Sequence, residues 1–434
     1  MIKFLHKHVK DSESKEILSK GFSFIVIRIG GTLLSFAFTL YVTNRFGKVE
    51  WGLMALGFSI FTILSIFGRL GLDLNLVKFY SQDENLIDTG VFFRSIIKVF
   101  IFSSFLSLLI YVFGEALVTD VFLEPKPDLL PYLNWLLLSI PFWSMVFVSA
   151  AIMRARKMNK AFAFYTLVGR FAIILLIILL IAHDSALFVL KAHFISLIIL
   201  AIASLVHANI ILKKPTFYSS HNTWVFVKES LPMMLSSSIL VLMSWMDTFV
   251  MGIYENETEV GIYNVAVKVT TLSVFSLQAI NSILAPKIAK SYAENQTVAY
   301  KKLIQFSTKV NFFITFFIVG LIIILSPYLL GLFGDGFEAG ISVLIILCIG
   351  QLVNSLSGSV GVVMQMIGEQ KMYQYFIVSA LIINLILTLI LTPIYGGVGA
   401  ATATVASMVF WNISGAVFLK KKKNIRTYFL PSLK

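Results

Sequence analysis

The chain has 434 residues, of which 58% are hydrophobic and only 13% charged, and its mean hydropathy is +0.88. Soluble domains use roughly 45–50% apolar residues, so a soluble fold is excluded. The net charge of +13 would suit nucleic acid, but the cations collect between long apolar runs, where they suit a membrane surface instead.

A helix needs about 20 apolar residues to cross a ~30 Å hydrocarbon core, because lipid offers the backbone no hydrogen-bond partner. Twelve such spans are predicted near residues 21–43, 51–75, 91–113, 130–153, 161–182, 190–212, 229–253, 260–285, 304–330, 338–367, 372–392 and 396–419. Residues 1–20 are basic and partly amphipathic, with Ile2, Phe4, Leu5 and Val9 among Lys3, Lys7 and Lys10. The run that follows is too long for a signal-peptide core and lacks a small-residue cleavage site, so it reads as the first span.

Charge inside a span costs at least about 2.5 kcal/mol for Arg or Lys at mid-helix, which makes each such residue a functional candidate. In the first span Arg28, Thr32, Ser35 and Thr39 recur every three or four residues and form one polar stripe beside Gly30-Gly31. Arg69 and Asp73, four apart at the inner end of the second span, can pair with each other or serve a substrate. Glu115, Asp120, Glu124 and Asp128 read as a solvated loop. Pro141 marks a kink or hinge in the fourth span. Arg170 lies near the middle of the fifth, with no room to snorkel.

The second half repeats this distribution. Ser237, Ser244 and Asp247 share a face of the seventh span, and Asn264, Lys268, Thr271, Gln278 and Ser282 form a stripe in the eighth. Asp247 and Lys268 fall about one turn apart in depth, which allows either a buried structural ion pair or a site. Lys309 is near enough to an end to snorkel. Cys348 is the single cysteine, so no disulfide framework exists, and the histidines show no metal-binding spacing.

If the amino terminus lies inside, the outer loops carry only Arg45, Lys48, Lys126 and Lys191, and the remaining loop cations lie inside. That is the positive-inside pattern, with both termini cytoplasmic and Lys420 to Lys423 anchoring the end on anionic lipid. A weak repeat pairs residues 45–53 with 254–262 and residues 156–158 with 370–372, at offsets of 209 and 214. It predicts an inner amino-terminal segment (1–20), two parallel six-helix bundles (21–212 and 229–419), a linker (213–228) and a basic tail (420–434). No loop is large enough for a catalytic domain, so an enzyme is not expected.

The deep charges are cationic (Arg28, Arg170, Lys268 and Lys309) against one acid, Asp247, and suit an anionic substrate. Several segments carry a resemblance: residues 41–47 through Trp51-Gly52-Leu53, Gly68-Arg69-Leu70-Gly71-Leu72, Leu231-Pro232, residues 247–252, residues 260–263, residues 285–288, and residues 392–400. With these the chain resembles the polysaccharide and oligosaccharide flippases (Wzx type) of the multidrug/oligosaccharidyl-lipid/polysaccharide exporter superfamily.

The resemblance implies an all-α membrane fold of two six-helix bundles in a MATE-like V. It also implies alternating access and flipping of an undecaprenyl-diphosphate-linked O-antigen or capsule repeat to the outer leaflet of a bacterial inner membrane. The lipid II branch has two further helices, for which this chain has no room. The first-span carboxylates of MATE exporters are missing, since Arg28 is the only charge there. On this reading Arg28, Arg170 and Lys268 bind the diphosphate, with Arg69, Asp73, Lys309, Asn264 and Gln278 as lesser candidates. Asp247 couples transport to a proton or sodium gradient, and no cofactor or metal is expected. The partners are the lipid-linked oligosaccharide, membrane lipid and a polysaccharide polymerase or assembly protein, not nucleic acid. The alternative is an ion-coupled, MATE-like exporter of small organic cations or drugs.

Overall fold

A computed structural model describes residues 12–82, 89–213, 216–219 and 221–429. The first part of the amino-terminal segment (1–11), Lys214 in the linker and the end of the tail (430–434) lie outside the described residues. Lipid forces a spanning backbone to satisfy itself, and the described residues do so as helices without a strand.

The first half contains α1 (Ser12–Gly68), α2 (Leu72–Gln82), α3 (Thr89–Val112), α4 (Gly114–Asp120) and α5 (Leu129–Ala155). Next, α6 (Asn159–Ala163) passes through a π turn at Phe164–Val168 into α7 (Gly169–Leu180), and α8 (Ala186–Leu212) follows. Then come α9 (Thr223–Tyr254), α10 (Glu257–Thr270), α11 (Phe275–Ala293), α12 (Thr297–Ile324), α13 (Ser326–Gly331), α14 (Ile341–Ser357), α15 (Val360–Met366) and α16 (Gln370–Lys423).

Among the described residues, 10 helical stretches are long and apolar enough to cross a membrane. Two of them, within α1 and α16, are broken by glycines in left-handed backbone, Gly47 (φ 84°) and Gly396 (φ 54°). Only glycine takes that conformation without a Cβ penalty. Counting each side of these breaks separately gives twelve crossings, and the protein is an all-α, multi-pass membrane protein.

The chain packs into two compact units: residues up to Phe46 with Leu56–Ser238, and Gly47–Ala55 with Ile239 onward. In the first, Leu72, Leu76, Tyr80, Phe92, Val148 and Ile152 close a core that also takes Phe226 from α9. The expected linker is thus partly helix. Asn222 Oδ1 accepts from the Trp224 backbone N at 3.0 Å to start α9, whose first turns belong to the first unit. There Asn75 Nδ2 donates to the Phe226 carbonyl at 2.9 Å and Ser230 Oγ to that of Leu70 at 2.6 Å.

The second span also ends earlier than residue 75. The chain leaves the helix after Gly68 through Leu70 and Gly71, both at positive φ (54° and 70°), and restarts as α2.

In the second unit the repeated glycines meet. A Cβ on Gly52 would lie 1.8 Å from the Glu257 carbonyl oxygen, and one on Gly261 would lie 2.4 Å from that of Lys48. Each glycine therefore admits the other segment's backbone. Leu284, Ile288, Ile304, Val360, Met364 and Leu419 form the neighbouring core.

The eighth span is not one continuous helix: a 3-10 turn at Thr271–Val274 separates α10 from α11. Three residues per turn in place of 3.6 shifts the angular register, so Gln278 and Ser282 do not continue the stripe of Asn264 and Lys268. Nor is the described part of the tail free. Lys423 pairs with Glu369 at 2.5 Å, Ile425 and Thr427 are buried, and the Phe429 N–H donates to the Leu356 carbonyl at 2.9 Å.

Candidate functional site

Each unit carries its own polar site. In the first, the π turn ends at Val168 and sets Arg170 in the first turn of α7. Its guanidinium carbon lies 4.4 Å from the Phe171 ring centroid and 5.1 Å from that of Trp143. Aromatic faces hold the cation without occupying its N–H donors. Among the described residues no carboxylate pairs with it and no hydrogen bond uses its five donors.

Arg170's field also reaches His193, a fully buried imidazole edge-on to Phe58 and Phe61, each at 5.3 Å. Neither His193 nitrogen has a hydrogen-bond partner.

The other first-unit candidates divide. Arg28 is exposed, and the Thr32 hydroxyl donates to its carbonyl at 3.1 Å. Thr39, farther along the stripe, is fully buried and donates to the Ser35 carbonyl at 3.1 Å, so the stripe runs from surface to interior. Arg69 is already engaged: it pairs with Asp73 at 3.4 Å, donates through Nε to the Ser65 carbonyl at 3.1 Å, and lies 4.1 Å from the Phe147 ring centroid. Among the described residues, that leaves Arg28 and Arg170 as the guanidinium groups of this set with no ion pair.

In the second unit Asp247 is 3% exposed, and its carboxylate accepts hydrogen bonds from Thr388 at 3.3 Å and from Thr404. Tyr263 and the buried Asn384 complete its surroundings. The Asp247–Lys268 ion pair does not form. Lys268 instead lies 5.6 Å from the Trp51 ring centroid, because residues 47–55 pack against the start of α10.

Asp247 also parts from Ser237 and Ser244, which are exposed and bond back to their own helix. Asn264 Nδ2 donates to Thr248 Oγ1 at 3.5 Å, Gln278 is half-buried and Lys309 exposed.

Reading the sequence missed His193, a lone histidine in an apolar helix. It also missed the surroundings of Asp247, although Asn384, Thr388 and Thr392 stand four apart in an apolar run, and all three are fully buried. That spacing puts them on one inward face of α16 and was a usable signal.

Fold and sites together define a polytopic membrane protein with a buried polar site in each of its two units. The family model described as "Polysaccharide biosynthesis protein" matches residues 17–292, so the chain belongs to that family. A second model, "MatE", matches residues 232–390.

Among curated proteins the chain is similar to the "Probable low-salt glycan biosynthesis flippase Agl15" of Haloferax volcanii. They are 28% identical over 216 residues, 50% of this chain and 45% of that protein. It is likewise similar to the "Uncharacterized membrane protein MJ1375" of Methanocaldococcus jannaschii, 28% identical over 46% of this chain and 47% of that one. The matched region thus spans about half the length of these relatives.

Among solved structures the lipid II flippase MurJ in an inward closed conformation aligns with TM-score 0.75 and 16% identity, over 93% of this chain and 88% of its own. The MATE multidrug transporter DinF-BH aligns with TM-score 0.67 and 19% identity, over 95% and 96%. These likenesses establish the MATE-like fold.

Proposed function

We propose that the protein flips an isoprenoid-diphosphate-linked oligosaccharide, of the undecaprenyl-linked O-antigen or capsule type, from the cytoplasmic to the outer leaflet by alternating access. The observation that carries this reading is Arg170, a guanidinium inside a membrane-spanning helix with no carboxylate partner and with its N–H fork free. A planar fork binds phosphate oxygens in a bidentate manner, and an unpaired charge at this depth is costly unless it meets an anion in the working cycle.

The family match and the glycan flippase among the relatives support the substrate class. In the same proposal Asp247, buried without a basic partner, couples the cycle to a proton or sodium ion. A polysaccharide polymerase or assembly protein receives the product, and both termini face the cytoplasm. The enzymatic work falls to those partners, and the chain itself transports.

The test is flipping of a fluorescent polyprenyl-diphosphate oligosaccharide in proteoliposomes. Arg170→Ala should slow it at least tenfold, about 1.4 kcal/mol of lost stabilisation. Arg170→Lys, which keeps the charge but not the fork, should retain part of the rate. Undiminished flipping in folded Arg170→Ala protein would remove the diphosphate role.

A second reading, export of small organic cations, is favoured by the buried Asp247 and by the MatE match over residues 232–390. Uptake of a fluorescent organic cation by the same vesicles, abolished by Asp247→Asn and unaffected by Arg170→Ala, would favour it instead.

A further inference from the structure

The first unit also carries an apolar groove of about 580 Å³ between α1 and the segment that joins α6 to α7. Ile27, Gly30, Leu33 and Leu34 form one wall and Phe164 and Val168 the other, with only apolar surface facing in. The gap is fixed by close packing beside it. A Cβ on Gly31 would lie 2.9 Å from the Leu167 carbonyl oxygen, so the two segments touch there. One residue earlier, a Cβ on Gly30 would have nothing within 4 Å. The facing wall is the π turn Phe164–Val168, and such an inserted residue bulges a helix locally, often at functional positions.

Charge and shape together select the occupant. Arg28 directly follows Ile27, and Arg170 comes two residues after Val168, so the backbone of each arginine lies within one turn, about 5.4 Å along its helix, of a residue that lines the groove. A hydrocarbon chain that ends in a phosphate suits that combination. The chain should also be branched: an isoprenoid carries a methyl group at regular intervals, and the Gly30 notch has room for one, whereas a straight acyl chain would leave it empty.

We infer that this groove holds a stretch of the isoprenoid chain of the lipid-linked substrate and keeps its diphosphate within reach of Arg28 and Arg170. The inference rests on the flippase reading, so the two must be tested apart.

The experiment uses the full-length protein in phosphatidylglycerol nanodiscs with two diazirine probes, an uncharged polyprenol and the matching polyprenyl diphosphate, and maps cross-linked peptides by mass spectrometry. Both probes should label residues 27–37 and 164–168. Excess unlabelled polyprenol should compete, and equal dioleoyl phosphatidylglycerol should not. A Cβ at Gly30 meets no neighbouring atom, and the rest of a leucine side chain would fill the notch, so Gly30→Leu should cut groove labelling about tenfold, the equivalent of roughly two buried methylenes. Val168→Phe, which fills the groove from the opposite wall, provides a second variant if the first misfolds.

Uniform labelling, equal competition by the diacyl lipid, or labelling unchanged in both folded variants would overturn the groove assignment. Polyprenol labelling that persists while the diphosphate probe gains nothing from Arg170 would uphold the groove and overturn the diphosphate reading.

Discussion

Arg170 and Asp247 are opposite cases of one problem, a charge kept in a low-dielectric interior. Arg170 rests on the Trp143 and Phe171 faces, whereas Asp247 is wrapped by the hydroxyls of Thr388 and Thr404. A buried carboxylate without a cationic partner is expensive unless it takes up a proton or a metal cation. Asp247→Asn keeps the shape and an acceptor oxygen while removing that charge. It should leave folding intact or slightly improved, reduce gradient-driven flipping at least tenfold, and abolish the response to imposed sodium or pH gradients in proteoliposomes. A variant that still follows either gradient would move the coupling site elsewhere.

Elements are held together here by glycines whose missing side chains admit a neighbouring backbone, and two positions make this measurable. At Gly52 the nearest atom to an added Cβ is a carbonyl oxygen at 1.8 Å, which cannot swing aside as a side chain would. Gly52→Ala should therefore destabilise the second unit by about 3 kcal/mol, the upper range for overpacking, and lower the melting temperature in detergent.

The first-span pair Gly30-Gly31, expected as a flexible point, separates on the same criterion. Gly31→Leu should reduce the yield of folded protein because Leu167 blocks it, whereas Gly30→Leu should fold normally and act only on the groove. Equal damage from both would indicate a hinge that needs two adjacent glycines. Pro141 does not interrupt α5, which runs as one helix through it.

For the whole molecule, orientation is the property that the charge distribution predicts. Cysteine accessibility in intact cells can check it, since the native Cys348 is buried. Asn256→Cys in a Cys348→Ala background should react with an impermeant thiol reagent, and Asn159→Cys should not. Asn256 caps α10 by accepting from the Glu259 backbone N at 3.0 Å, so its loss costs about 1 kcal/mol and leaves the helix in place. The reverse labelling pattern would put both termini outside and invert the direction assigned to transport.

The sequence by itself determined the environment and the number of crossings, because lipid demands long apolar runs and these are visible one residue at a time. It also marked most of the charges placed deep in a span, and the spacing of Arg69 and Asp73 already allowed the pair that the structure contains. Tertiary structure decided which charges are engaged. Whether Asp247 meets Lys268 depends on how residues 47–55 and α16 pack around α9 and α10, segments more than a hundred residues apart. The same holds for the tail, whose basic run reads as a solvated anchor until Ile425 and Thr427 are seen buried. The groove beside Gly30 was invisible for a related reason: a cavity is a property of two surfaces, and its second wall is a π turn that no local periodicity announces.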